Sequence, residues 1–283
     1  MTSQAKTAPY PLTWLYVPGD RPRVVAKALA SGADIVIVDL EDAVAPDRKD
    51  YARAATADLL SEAEQPVPVH VRVNALGTPQ AAQDLTALAA LPGLSALRLP
   101  KVISAEQIIH LAQTTPTDDP GTTPLHALLE SAVGIERAHA IASAHPSLHG
   151  ISLGEADLRA DLGVRGDAGL DWSRSRVIVA ARAAGLPPPA QSIHPDILDL
   201  EGLAASCAHG RALGFLGRVA IHPRQLPVIE RAYLPTEQEL QQAEAILKAA
   251  ATDQGAQALQ DGTFIDAAVV SAAQRTLSLA RRC

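Results

Sequence analysis

Four apolar runs of this chain end in groups able to do chemistry. PLHALLES (124–131) ends at Glu130, and GISLGEAD (150–157) leads at once into Glu155 and Asp157. VPVHVRVN (67–74) ends at Arg72 and Asn74, and DIVIVDLED (34–42) ends in Asp39, Glu41 and Asp42. A buried parallel strand reads as a continuous apolar run, and ligands of α/β sheets gather beyond the carboxyl ends of the strands. Acids and an arginine brought there by separate strands point to one polar site on a barrel rim.

Each group has its own possible chemistry. Glu130 and Asp157 end sequential strands, and adjacent strands lie about 4.7–4.9 Å apart. The two could therefore share one divalent ion. With two protein oxygens and the rest water or substrate, such a site suits Mg²⁺, and Mn²⁺ could substitute. Equally, Glu155 and Asp157 precede LRADLG and could serve a helix N-terminus. Arg72 at the end of an apolar strand needs a partner. Its planar fork suits a substrate carboxylate or an enolate oxygen, and an ion pair with Glu41 or Asp42 would satisfy it as well. We expect Asp39, Glu41 and Asp42 to pair with rim cations rather than to catalyse. Lys101, after Pro100, is a Schiff-base candidate or a balance against those acids. Arg21, Arg23 and Lys27 (VPGDRPRVVAK) form a basic cluster suited to an anion such as a phosphate, or a solvated helix face. The histidines His70, His194 and His222 show no zinc-ligand spacing, and we expect His222 to anchor a loop. No nucleophile elbow, dinucleotide fingerprint or phosphate-binding loop motif occurs.

Strands and helices alternate in the manner that would place these groups. Strands are expected at 12–17, 34–39, 67–72, 95–99, 125–129, 150–153, 190–194 and 217–222. Helices are expected at 22–31, 47–63, 79–91, 104–113, 135–143, 173–184, 201–213 and 223–232. Eight such pairs predict an α/β fold, a (β/α)₈ TIM barrel over residues 1–232, with a doubly wound open sheet as the competitor. Residues 233–283 exceed that need. They predict a C-terminal helical extension: a capping box at Thr236 and Glu239, a helix to about Ala251, a loop or hairpin turning at Asp261–Gly262, and a helix over 266–281. The extension could cap its own barrel or reach a neighbouring subunit.

The bulk numbers narrow the function classes. The 283 residues are 47% hydrophobic, carry a formal net charge of −7, and hold no basic stretch long enough to follow a nucleic-acid backbone. Cys207 and Cys283 show neither metal nor redox spacing. MTSQAKTAPY has no apolar core for a secretory signal, and no apolar run nears the ~20 residues of a membrane span. We expect a soluble, cytoplasmic protein with no nucleic-acid or membrane partner.

LYVPGDRPRVVAKALASGADIVIVDLEDAV, followed by KDYARAA, resembles the opening of the citrate lyase beta-subunit-like (CitE-like) group of the HpcH/HpaI aldolase family. VRVN, LLES-AVG (128–134), LGEADLRADLG (153–163) and GFLGRVAIHPRQLPVI (214–229) extend the resemblance over nearly the whole chain. It implies a (β/α)₈ barrel with a C-terminal extension, in a homotrimer or hexamer, and a Mg²⁺-dependent carbon–carbon lyase or condensing enzyme acting on acyl thioesters and 2-oxoacids. It makes Glu130 and Asp157 the metal ligands and Arg72 the holder of the substrate carboxylate and enolate. Arg21 and Lys27 match CoA contacts, and Asp266 matches an aspartate supplied by a neighbouring subunit. Rival readings are the beta subunit of a citrate lyase complex acting on citryl-acyl carrier protein, a Lys101 Schiff-base aldolase, and a non-catalytic thioester-binding protein.

Overall fold

A computed structural model describes residues 10–114, 123–252, 257–258 and 264–280. Its main body is a parallel sheet wrapped by helices. The strands are β1 (Thr13–Pro18), β2 (Ile35–Asp39), β3 (Val69–Arg72), β4 (Leu94–Leu99), β5 (Leu125–Leu129), β6 (Leu148–Leu153) and β7 (Arg218–Ala220), in the order β6-β5-β4-β3-β2-β1-β7. All pairings are parallel, with Asp39 beside Arg72 and Arg72 beside Arg98 at the strand ends. β2 is buried at every position, as a strand covered on both faces must be.

Among the expected strands the seventh is corrected; among the helices, 135–143 is two short ones, Ala132–Glu136 and Ala138–Ala142, and Glu155–Leu162 is an additional one. Of 190–194 only Gln191 joins the sheet, as a single bridge to Arg218. Its N–H donates to Gly217 O and its carbonyl accepts from Val219 N, both at 3.0 Å. Pro187, Pro188 and Pro189 precede it and Pro195 follows. Upstream the prolines have no N–H to donate, although Pro189 O still accepts from Leu216 N at 3.0 Å; downstream the carbonyls of Ile193 and His194 accept from the side chains of Arg218 and Gln225 at 3.4 and 3.0 Å. The eighth stave, β7, lies beyond that bridge.

Closure is shown by what surrounds the interior. Tyr16 of β1, Asp39 of β2, Arg72 of β3, Arg98 of β4, Leu128 of β5, Ser152 of β6, Gln191 and Val219 of β7 all line one cavity of about 350 Å³. A flat sheet could not bring every stave to so small a space. The seam between β6 and the Gln191 segment is spanned by Glu155 N donating to Ser192 Oγ at 3.4 Å.

The barrel interior has two characters. Trp14, Ile35, Ile37, Ala190 and Val219 form an apolar cluster on one side. Burying side chains of this size contributes on the order of 1.5–3 kcal/mol each. Opposite it, β3 to β5 carry His70, Arg98 and His126 inward. Outer helices close the body by apolar stripes, as in Pro22–Leu29, which buries Val25, Ala28 and Leu29. Gly185, at φ 77°, ends the helix Asp171–Ala183 and turns the chain into the proline run.

Chain contacts divide the protein into two compact units, Leu12–Ala232 and the remainder. The second unit contains the helix Glu237–Thr252, the antiparallel pair β8 (Gln257–Ala258) and β9 (Phe264–Ile265), and the helix Ala267–Ala280. Ala243, Ile246, Ile265 and Ala273 form its core, with Val269 and Leu277 packed against them. The Thr236–Glu239 capping box is formed: Thr236 N donates to Glu239 Oε2 at 2.8 Å and Glu239 N to Thr236 Oγ1 at 3.2 Å. The expected turn at Asp261–Gly262 lies outside the described residues.

Candidate active site

Glu130 stands one residue beyond β5, and Asp157 lies in the first turn of the helix Glu155–Leu162 that follows β6. Both line the central cavity. Glu130 is 5% exposed and Asp157 is exposed. The Glu130 carboxylate lies against Gly154, where a Cβ would fall 2.4 Å from Oε1, so only glycine fits there. Lys101 N donates to Glu130 Oε2 at 2.8 Å. Lys101 holds φ 55°, and it is the one non-glycine residue with positive φ among the described residues. That backbone conformation costs energy in a non-glycine residue, and here it aims an N–H at the carboxylate. Burial raises the Glu130 pKa to about 7; Glu41 and Asp157 add to the rise, and the Lys101 amide and Arg72 oppose it.

Asp157 and Glu155, two residues apart, have different fates. Glu155 accepts from Arg174 Nε and Nη2 at 2.9 and 2.7 Å, a bidentate ion pair with a fully buried arginine. Asp157 has no hydrogen bond or ion pair among the described residues, and it is left for the cavity.

Arg72 is held by three carboxylates. Nε and Nη2 donate to the two oxygens of Asp39 at 2.7 and 2.6 Å, and Nη1 lies 3.0 Å from Glu41 Oε2 and 3.5 Å from Asp42 Oδ2. The expected pairing with Glu41 and Asp42 is present, and Asp39 is the stronger partner. The guanidinium also covers the Tyr16 ring, 4.9 Å from its centroid. Burial alone would lower the Arg72 pKa, but Asp39 and its neighbours raise it, so Arg72 stays charged. Glu41 Oε2 faces Arg72 without an aligned N–H and has no hydrogen bond, while Oε1 accepts from Lys101 Nζ at 2.7 Å. Burial raises the Glu41 pKa despite both cations. For Lys101, burial favours the neutral amine, but the hydrogen bond and charge of Glu41 outweigh it and the pKa is raised. A lysine kept protonated is a poor Schiff-base nucleophile.

The remaining candidates sit elsewhere. Arg21, Arg23 and Lys27 are exposed at the first helix, outside the cavity lining; Arg21 Nε is 3.9 Å from Asp20. Asp266 belongs to the second unit, where its Oδ1 accepts from Ala268 N and Val269 N, both at 2.9 Å, and caps the last helix. His222 accepts from Arg224 N at 3.1 Å and anchors its turn, as expected. Two cavity groups escaped the sequence reading, Tyr16 and Arg98. The sign available for Arg98 was an arginine enclosed by leucines in SALRL, at the parity that faces inward.

Among the described residues no group of three His, Cys, Asp or Glu side chains is placed to hold a metal ion. An ion at Glu130 and Asp157 would take two hard carboxylate oxygens from the protein and fill its shell from water or substrate. The donor set and the open cavity fit Mg²⁺, which keeps much of its hydration. An ion would also offset the burial and the neighbouring negative charge that make Glu130 hard to ionise.

The chain matches the family model described as HpcH/HpaI aldolase/citrate lyase over residues 12–223, and a carbon–carbon bond lyase of the TIM-barrel fold over residues 182–281. It is 39% identical to a citrate lyase subunit beta-like protein of Mycobacterium tuberculosis over 93% of each chain. It is 34% identical to a (3S)-malyl-CoA thioesterase of Cereibacter sphaeroides, covering 94% of this chain and 93% of the relative. The structure of protein CitE from Mycobacterium tuberculosis in complex with magnesium, acetoacetate and coenzyme A superposes with a TM-score of 0.82 at 38% identity, over 97% of this chain and 99% of the other.

Proposed function

The chain belongs to the HpcH/HpaI aldolase/citrate lyase family, and from that premise we propose that it is a magnesium-dependent carbon–carbon lyase of 3-hydroxy-3-carboxyacyl thioesters. Substrates of the citramalyl-CoA, malyl-CoA or citryl type would be cleaved reversibly to a 2-oxoacid and an acyl thioester. The observation that carries the reading is the convergence of Glu130, Asp157 and Arg72 on one cavity from three separate staves.

Glu130 and Asp157 would hold the ion, which when bound polarises the oxygens of the oxoacid half. Arg72, fixed by Asp39 before substrate arrives, stabilises the negative charge that develops as the carbon–carbon bond breaks. The hydroxyl proton leaves to a base in the cavity, the bonding pair passes to the thioester enolate, and the enolate carbon is protonated. Asp266 of a neighbouring copy is the proposed donor of that proton, which requires an oligomer, a homotrimer or hexamer. Arg21 and Lys27 are the proposed contacts of the CoA phosphates. The beta-subunit reading, with an acyl-carrier-protein thioester, uses the same machinery and differs in what carries the acyl group.

The test is direct. Glu130→Gln and Asp157→Asn should each lower cleavage of malyl-CoA or citramalyl-CoA, whichever the parent turns over, by roughly 10²-fold or more at matched Mg²⁺. Variants that cleave as fast as the parent would end the proposal.

A further inference from the structure

The central cavity contains a second cationic group that the reaction above does not use. Arg98 is 2% exposed and lines the cavity with Tyr16, Arg72 and Ser152. Its Nε lies 3.4 Å from His70 Nδ1, a long contact, and its terminal amino groups have no hydrogen bond or ion pair among the described residues. Among the described residues no carboxylate stands within ion-pair distance. The ring of His70 lies 5.0 Å from that of His126. Burial keeps both imidazoles neutral, with pKa values well below the usual range, so neither supplies nor offsets charge. Across the cavity the Tyr16 hydroxyl is buried with no hydrogen-bond partner. A buried cation without a counter-ion and a buried hydroxyl without a partner, lining one cavity, are expensive in a folded chain, and such expense is typical of a site that awaits a ligand.

The place of this pair beside Arg72 indicates what the ligand is. The register places Arg98 between Arg72 of β3 and His126 of β5, and His126 stands four residues before Glu130, about 13 Å along that strand by the usual rise. The Arg98 side chain opens into the same cavity as Glu130. A ligand whose oxoacid head lies at Glu130 and Asp157 therefore presents its other end to Arg98. We propose that Arg98, with the Tyr16 hydroxyl, binds a second carboxylate on the 2-oxoacid half, so that this chain selects 2-oxodicarboxylates over 2-oxomonocarboxylates. The proposal rests on the lyase reading of the rim and adds a specificity determinant beside Arg72. The condensing and cleaving steps stay balanced, because the second carboxylate is carried unchanged through both.

Titration calorimetry with Mg²⁺ present tests this, using oxaloacetate and 2-oxoglutarate as dicarboxylate probes and pyruvate as the monocarboxylate. One charge-assisted contact predicts a preference of about tenfold or more for at least one dicarboxylate. In Arg98→Met that ratio should fall to near one, and Arg98→Lys should keep part of it. The Tm of Arg98→Met should rise, because an uncompensated buried cation has gone. A parent without the preference, or a folded Arg98→Met protein that retains it, each overturns the proposal and leaves the rim reading standing. A parent that binds none of the three oxoacids overturns both. Should Arg98→Met fail to fold, Arg98→Lys and Tyr16→Phe carry the same ratio test, and an unchanged ratio in both overturns it.

Discussion

Glu130 is the residue on which the proposed metal chemistry turns. Its pKa is raised by burial from 4.5 to about 7, so the folded state binds this proton more tightly than the unfolded chain does. The sign follows from linkage. The stabilising contribution is complete below pH 4.5 and is lost as pH rises through about 7, an effect on the order of 3 kcal/mol. Magnesium needs the ionised carboxylate, so its apparent affinity should climb about tenfold per pH unit up to pH 7 and then level off. The thermal shift given by Mg²⁺ should accordingly be larger at pH 8 than at pH 6. Equal shifts at the two values would mean that Glu130 is not a ligand. At this scale the sequence supplied the names and the structure supplied the roles. Glu155 and Asp157 are indistinguishable as acids after a strand, until Arg174 takes one of them.

At the scale of elements, that arginine clamps the start of the helix Glu155–Leu162 to the helix Asp171–Ala183. Its guanidinium serves Glu155, Asp167 at 2.7 Å and Asp171 at 2.9 Å, and its hydrogen bond lowers the Asp167 pKa to about 2. Asp167 is largely exposed, so the energy resides in the buried Glu155 pair. Arg174→Ala leaves the Glu155 charge buried and alone, which should cost about 3–5 kcal/mol in denaturant unfolding. Because the same helix carries Asp157, Mg²⁺ affinity should weaken as well. A loss under ~1 kcal/mol with unchanged Mg²⁺ binding would show that the clamp does not position the site. Most strands were legible because each is a local apolar run ended by polar residues, as in IVIVD. The segment 190–194 misled because its apolar and turn residues suggest a strand, whereas the prolines before it have no N–H to donate and the carbonyls of Ile193 and His194 go to the side chains of Arg218 and Gln225.

At the scale of the whole molecule, the proposed trans role of Asp266 makes activity a property of the assembly. Asp266→Ala and Glu130→Gln subunits should each be inactive alone and regain activity when unfolded and refolded together, since some mixed sites would then hold both intact groups. Light scattering would report the assembly, and a mixture as inactive as its components would place Asp266 outside the reaction. Within one chain, the Asp266 carboxylate caps the last helix through two backbone amides. Some lost stability in Asp266→Ala is therefore expected, and Asp266→Asn, which keeps a capping oxygen, separates that effect from catalysis.

The order of residues determined the alternation of strands and helices, the strand ends at which Arg72, Glu130 and Asp157 stand, and the helical tail. These are local properties, written in periodicity and in turn and cap residues. The partners of each charge were decided only by the tertiary structure. Asp39 meets Arg72 across 33 positions of chain, Lys101 meets Glu41 across 60, and Arg98 meets no carboxylate among the described residues. Each outcome depends on which staves curl to face one another, and pairings over such separations leave no mark on the neighbouring sequence.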